Sequence, residues 1–168
     1  MIIRLATTAD AQDMAEVGMR SWEAAYKDIL PADYIREKNA TRPGQFKRVI
    51  TDENETSYVI QLDGKTVGIM KIDERTDDDL TDEYYELHYI YLHPDYFRQG
   101  IGAKAIDFAM QKACAMGKKF LVIWVIESNA NSVKFYEKCG FLRDGCSKIQ
   151  NRGVDVKIIR MIARSVTP

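Results

Sequence analysis

Residues 84–106 read YYELHYIYLHPDYFRQGIGAKAI. Tyr84 to Leu92 has strand composition, His93-Pro94 opens a turn, and a small-residue run from about Gly102 to Met116, closed by Gly117, reads as a helix. Gly100-Ile101-Gly102 therefore stands where a helix starts. A helix N-terminus offers unpaired N–H groups and the positive end of the helix dipole, and glycine lets a bound group approach the backbone. That combination suits a phosphate. Arg98 and Lys104 add positive charge beside it.

The phosphate has two possible owners. Gly100-Ile101-Gly102-Ala103-Lys104-Ala105 fits G-x-G-x-x-A, and Glu127 follows 22 residues after Ala105, as in a dinucleotide fingerprint. In that fold the strand runs almost straight into the first glycine. Here seven residues, His93 to Gln99, intervene after Leu92, and only 66 residues follow Gly102 for the rest of a sheet and a substrate region. Both features disfavour a dinucleotide-dependent oxidoreductase.

Working outward, residues 120–141 read FLVIWVIESNANSVKFYEKCGF. Phe120 to Ile126 is a near-continuous apolar run, the mark of a strand buried on both faces. Asn129 opens a second helix and Gly140 suits its C′ position. Pro94, Gly100-x-Gly102, Asn129, Tyr136 and Gly140-Phe141, in this order and spacing, resemble the GCN5-related N-acetyltransferase (GNAT) family. The resemblance is strong over about residues 84–141 and extends in element order over the whole chain. One departure stands out. The family carries Arg or Gln three residues before the first glycine, where this chain has Phe97.

The resemblance implies a single α/β domain over 1–168: a mixed, mostly antiparallel central sheet with a splayed strand pair, flanked by helices. It implies acetyl-coenzyme A as co-substrate and a primary amine as acceptor, either a small amine, bacterial polyamines among them, or a peptide N-terminus. The pyrophosphate would rest on the 97–104 segment, that is Phe97, Arg98, Gln99, Gly100, Ile101, Gly102, Ala103 and Lys104, mainly on the N–H groups of 98–103. The pantetheine arm would pair like a strand with the edge of the 84–92 strand at Ile90 and Leu92, opened where that strand splays from 120–126. Asn129 and Ser132 would also meet the coenzyme.

Acetyl transfer needs a base for the ammonium, a donor for the developing oxyanion and an acid for the departing thiolate. Asn129, Ser132, Val133 and Tyr136 lie at i, i+3, i+4 and i+7, one face of a helix. Tyr136, protonated at neutral pH, takes the acid role by family position, although Tyr136 as a packed aromatic and Asn129 as a plain N-cap is the competing reading, with Phe135 the more natural core residue. The candidate base is Glu86, where the histone-acetylating branch carries its glutamate, or His88, a residue type that titrates nearer neutrality and here shares the strand face with Glu86; both as ordinary polar residues of a half-exposed strand is the competing reading. The Ile90 N–H is the oxyanion donor by family position. Trp22, Tyr26, Tyr34, Tyr84, Tyr85 and Glu86 are candidates for the acceptor site, with packing over the core the competing reading for most of the aromatics. The seven acids of 73–83 (Asp73, Glu74, Asp77, Asp78, Asp79, Asp82, Glu83) are either a solvated loop or an attraction for a cationic amine. A second function fits the same cradle: an acyl-coenzyme A sensor without turnover, favoured by Phe97.

The bulk properties agree with one soluble domain. The chain has 168 residues, 46% of them hydrophobic and 29% charged, with a net charge of −1. That balance gives no basis for nucleic-acid binding. The N-terminus lacks a signal peptide's apolar core and no apolar run nears the roughly 20 residues of a membrane helix, so a cytoplasmic protein is expected. Cys114, Cys139 and Cys146 form no C-x-x-C, and Cys114 and Cys139 read as small core residues. His88 and His93, five apart on one presumed strand, would point to opposite faces, so no metal site is expected. A homodimer is compatible with the aromatic surface and a free sheet edge. Of the other elements, a first strand at Ile2–Leu5, a helix over about 9–25, a short helix from Pro31, another near 45–50, a hairpin over 58–73 turning at Asp63-Gly64, and a C-terminal hairpin turning near 151–153 are predicted.

Overall fold

Asp63 and Gly64 turn the chain as their composition predicts, both at positive φ (49° and 78°), the requirement of a tight two-residue hairpin. In the computed structural model, which describes residues 1–52 and 56–164, this turn joins the second and third strands. The elements in chain order are β1 (Ile2–Leu5), α1 (Ala11–Tyr26), α2 (Ala32–Thr51), β2 (Ser57–Leu62), β3 (Lys65–Glu74), β4 (Tyr84–Leu92), α3 (Ile101–Ala115), β5 (Phe120–Ile126), α4 (Ala130–Lys138), β6 (Leu142–Asn151) and β7 (Asp155–Arg164). The strands are hydrogen-bonded in the order β1-β2-β3-β4-β5-β7-β6. The ladders β1–β2, β2–β3, β5–β7 and β6–β7 are antiparallel, and β4–β5 is parallel. This is the mixed, mostly antiparallel sheet that the motif order implies.

The β4–β5 ladder runs from Tyr84 to Glu86 against Phe120 to Val122, whereas β5 pairs with β7 along all of Phe120–Ile126. The parallel pair is thus joined at its start and open after Glu86, which is the expected splay. The chain divides into two compact units, Met1–Lys71 with Tyr89–Ala105, and Ile72–His88 with Ile106–Pro168.

The first unit is built on a buried cluster of Met14, Ala15, Val17, Phe46, Val59 and Ile69. Asp10 fixes the entry to α1. Arg4 donates to both its oxygens (2.8 and 2.7 Å), and the Thr7 N–H and Oγ1 donate to Oδ2 (2.7 and 2.8 Å). The Arg4 hydrogen bonds hold this carboxyl down to about 2. On β3, a Cβ at Gly68 would lie 2.4 Å from a Leu92 methyl and 3.1 Å from the Tyr91 carbonyl, so only glycine lets β4 approach there.

A short helix from Pro31 and another near 45–50 were expected. One helix, α2, runs through both. Pro43 cannot donate to the Asn39 carbonyl, which weakens the helix at that point. However, Ile35, Asn39, Arg42, Phe46 and Val49 are all buried at helical spacing on both sides of it. Continuous packing of that stripe outweighs one lost hydrogen bond.

In the second unit β5 is buried on both faces, with Phe120 and Trp124 half-buried. Asn129 caps α4 by accepting from the Ser132 N–H at 3.2 Å, and Gly140 follows its end at φ 87°. β6 is exposed along its whole length. Two smaller expectations change. Cys114 and Cys139 are half-buried and not core residues, and burial pushes the Cys139 thiol up. His93 lies beyond the end of β4, so strand alternation does not govern it. No helix among the described residues is long and apolar enough to cross a membrane.

Candidate active site

The glycine turn has a conformation its sequence only half declares. Gly100 is at φ 77°, and so, at 60°, is Arg98, a residue that seldom adopts that region. A Cβ on Gly100 would meet nothing within 4 Å, so the space before it is open. The N–H groups of Arg98, Gln99 and Gly100 meet no acceptor among the described residues. Those of Ile101 to Ala103 belong to the first turn of α3, whose first bond to the turn is Lys104 N–H to the Gly100 carbonyl at 3.2 Å. Six successive donors alternating through left-handed residues form an anion-binding nest. The flanks are structural. The Phe97 N–H donates to the Pro94 carbonyl (3.0 Å), and Gln99 Nε2 donates to the Asp95 carbonyl (2.8 Å). Phe97 itself is 41% exposed. The same unit carries Ile90 and Leu92, both half-buried on β4.

In this unit Trp22 is buried, edge-on to Tyr26 (5.1 Å) and to Tyr91 (6.5 Å). The Arg42 guanidinium lies 4.4 Å over Trp22 and 5.6 Å over Tyr91, and desolvation pushes its pKa down. Trp22 is therefore packed beneath a cation. Tyr26 and Tyr34 are half-buried, the latter under Lys38.

The second unit holds the candidate acid and base. Glu86 is buried. Its Oε2 accepts from the Thr76 N–H (2.9 Å) and Oγ1 (2.8 Å), and its Oε1 lies 3.4 Å from His88 Nδ1. The two candidate bases thus form one pair. Tyr84 stacks on Phe120 at 4.8 Å, and Tyr85 is buried with Lys118 6.0 Å from its ring. On α4, Val133 and Tyr136 are the buried residues, with Asn129 buried at the cap and Ser132 half-buried. Phe135, expected as the core aromatic, is only half-buried. Tyr136 is the buried one, edge-on to Phe135 (5.0 Å) and Phe141 (5.5 Å).

The acidic loop is exposed but largely paired. Five of its seven acids are ion-paired: Glu74 with Lys118 (2.7 Å), Asp77 and Asp79 with Arg160 (3.5 and 2.7 Å), Asp82 with Arg75 (3.0 Å), and Glu83 with Lys119. It is a solvent-exposed loop whose acids are largely paired, with Asp77 its most covered paired acid. Two participants had no signal in the sequence. Thr76 belongs to no motif, and Arg160 lies in an apolar strand, 81 residues from Asp79. No cluster of three or more His, Cys, Asp or Glu side chains suited to a metal ion occurs among the described residues.

Residues 17–141 match the acetyltransferase (GNAT) family. An uncharacterised N-acetyltransferase of Methanocaldococcus jannaschii is 26% identical over 140 residues, 83% of this chain, which spans 59% of that relative's length. A second, from Archaeoglobus fulgidus, is 26% identical over 143 residues, 81% of this chain and 89% of that protein. The fold is similar to the PaiA N-acetyltransferase of Thermoplasma acidophilum, solved with coenzyme A (TM-score 0.75, 20% identity, 98% of this chain and 99% of that one). It is also similar to the Escherichia coli ribosomal-protein-S18-alanine N-acetyltransferase (TM-score 0.66, 19% identity, 99% and 95%). The match spans residues of both units and both halves of the glycine-to-tyrosine motif, and on that ground the chain belongs to the GNAT family of acetyl-coenzyme A-dependent N-acetyltransferases.

Proposed function

We propose that the chain acts as one acetyltransferase domain over 1–168, moving acetyl from acetyl-coenzyme A to a primary amine by direct attack. The observation that supports this reading is the run of N–H donors at 98–103 without a backbone acceptor among the described residues, a pattern suited to a pyrophosphate without side-chain help. The Arg98 backbone strain, of order 1–3 kcal/mol for a residue in a sparse region, is of the kind retained at ligand sites.

The residue roles follow from local chemistry. Glu86 takes a proton from the acceptor ammonium, with Oε1 the reacting oxygen because Oε2 is held by Thr76. The freed amine attacks the thioester carbonyl carbon. The Ile90 N–H stabilises the oxyanion, the C–S bond breaks, and Tyr136 gives its proton to the thiolate. Ile90 and Leu92 offer backbone groups to the pantetheine arm, and Asn129 and Ser132 meet it from the start of α4. The acceptor is a small amine or a peptide N-terminus. Because the acids of 73–83 are largely ion-paired, their charge gives a polyamine no particular support. Trp22, Tyr26 and Tyr84 remain the candidates for contact with the acceptor.

Incubating the protein with acetyl-coenzyme A and a panel of amines, amino acids and short peptides tests the proposal. Thiol release matched by an N-acetylated product of equal amount is expected for at least one acceptor class. Tight coenzyme binding with no product from any class would favour the sensor reading.

A further inference from the structure

The loop between β3 and β4 is a strap laid on one face of the second unit's strands. The ladders define that face. Glu86 stands opposite Val122, Val122 opposite Ile162, and Trp124 opposite Arg160. Alternate residues of a strand share a face, so Glu86, Trp124 and Arg160 project from the same side. The strap is fastened at each. Thr76 donates twice to Glu86 Oε2 (2.9 and 2.8 Å). Trp124 Nε1 donates to Asp77 Oδ2 at 2.7 Å. Arg160 donates to both Asp79 oxygens (2.8 and 2.7 Å), while its Nε donates to Asp144 at 2.6 Å. Arg75 braces the strap internally, donating to the Thr81 carbonyl (2.8 Å), the Asp77 carbonyl (3.1 Å) and Asp82 (3.0 Å).

We propose that this strap is a positioning device for Glu86, in which Thr76 selects the carboxylate oxygen that reacts and Arg160, through Asp79 and Asp77, holds Thr76 in place. The proposal rests on the reading of Glu86 as the base. A glutamate's terminal torsion is broad and roughly two-fold, so an unrestrained carboxylate presents either oxygen. Two donors on Oε2 end that ambiguity and leave Oε1 beside His88. The carboxylate is buried, where an unsatisfied charge is costly, so the donors are required as well as directive. The charged and titratable groups around this arrangement include His88 on β4, Arg75, Asp77, Asp79 and Asp82 of the strap, Arg160 on β7, and Asp144 and Lys148 on β6, the Lys148 Nζ lying 3.6 Å from Asp77 and 3.9 Å from the Trp124 ring.

Two measurements on the whole protein test this. The first is the carboxyl NMR titration of Glu86, assigned by its loss in Glu86→Gln. The second is the pH profile of kcat/KM for acetyl transfer. Thr76→Val keeps shape and the backbone donor but removes the hydroxyl. It is expected to move both the Glu86 titration and the acid limb of the profile upward by about one pH unit, the size of one hydrogen bond to a charged group, with KM for acetyl-coenzyme A unchanged. Thr76→Ser is expected to restore both. Asp79→Asn is expected to move them the same way by less, and to add less in the Thr76→Val background than it does alone. A titration and acid limb unmoved in Thr76→Val, with Glu86→Gln inactive, would overturn the positioning role and leave Glu86 as base. A titration that moves without the acid limb would overturn it equally. Wild-type kcat/KM in Glu86→Gln would overturn the base assignment and the positioning role together.

Discussion

Replacing Tyr136 by phenylalanine is expected to lower kcat for acetyl transfer about a hundredfold or more at pH 7, with acetyl-coenzyme A affinity nearly intact. The factor corresponds to about 2.7 kcal/mol of transition-state stabilisation, within the range for a positioned general acid. The substitution is suited to separating chemistry from packing. The Tyr136 ring is buried edge-on to Phe135 and Phe141, contacts that phenylalanine repeats. Its backbone carbonyl accepts from the Cys139 and Phe141 N–H groups, and no side-chain change disturbs those bonds. Single-turnover kinetics, which report the chemical step rather than product release, give the decisive readout. A wild-type single-turnover rate would remove Tyr136 from the acid role and leave it as the packed aromatic of α4.

Arg160→Met is expected to destabilise the fold by about 3 kcal/mol, the range seen when one partner of a buried charge network is removed. For a chain of this size that is a fall in Tm of roughly 6–12 °C. The Arg160 side chain is 5% exposed and its guanidinium is shared by Asp77, Asp79 and Asp144. Hydrogen bonding to Asp79 holds Arg160 well above its ordinary pKa, and the same bonds hold the Asp79 carboxyl below its own. Methionine fills the volume but leaves Asp77, Asp79 and Asp144 without the guanidinium they share. The pH dependence has a definite sign. A carboxyl depressed in the folded state contributes stability above its unfolded value of about 3.9 and loses it as pH falls through the folded value. The difference in Tm between wild type and variant should therefore narrow below about pH 4. A difference that stays constant through the acid range would assign the loss to packing alone.

The parts legible in the sequence are those whose cause is local. Asp63-Gly64 specifies its hairpin because the turn demands two positive φ values that few residues accept. Asn129 marks the start of α4 because its side chain can reach the Ser132 N–H. The apolar run of β5 marks a strand covered on both faces. The parts missed depend on partners distant in the chain. The two helices expected from Pro31 and near 45–50 are one, because the stripe that carries α2 through Pro43 is set by what Phe46 packs against. The pairing of Asp77 and Asp79 was not legible because their cation, Arg160, arrives on β7 by way of the sheet register. Thr76 carries no signal at all until β4 brings Glu86 beneath it. At the cradle, Gly100 announces positive φ, whereas an arginine at 98 does not, so half of the nest was invisible.

Calorimetric titration of coenzyme A into the protein, paired with its melting temperature, bears most directly on residues 98–103 as a pyrophosphate site. Saturable binding is expected, with a stabilisation of about 2.7 kcal/mol when free ligand reaches a hundred times Kd, and thus a rise in Tm of roughly 5–11 °C. Absence of binding heat together with an unmoved Tm at millimolar coenzyme A would contradict the assignment of the nest and, with it, the proposed acetyl transfer.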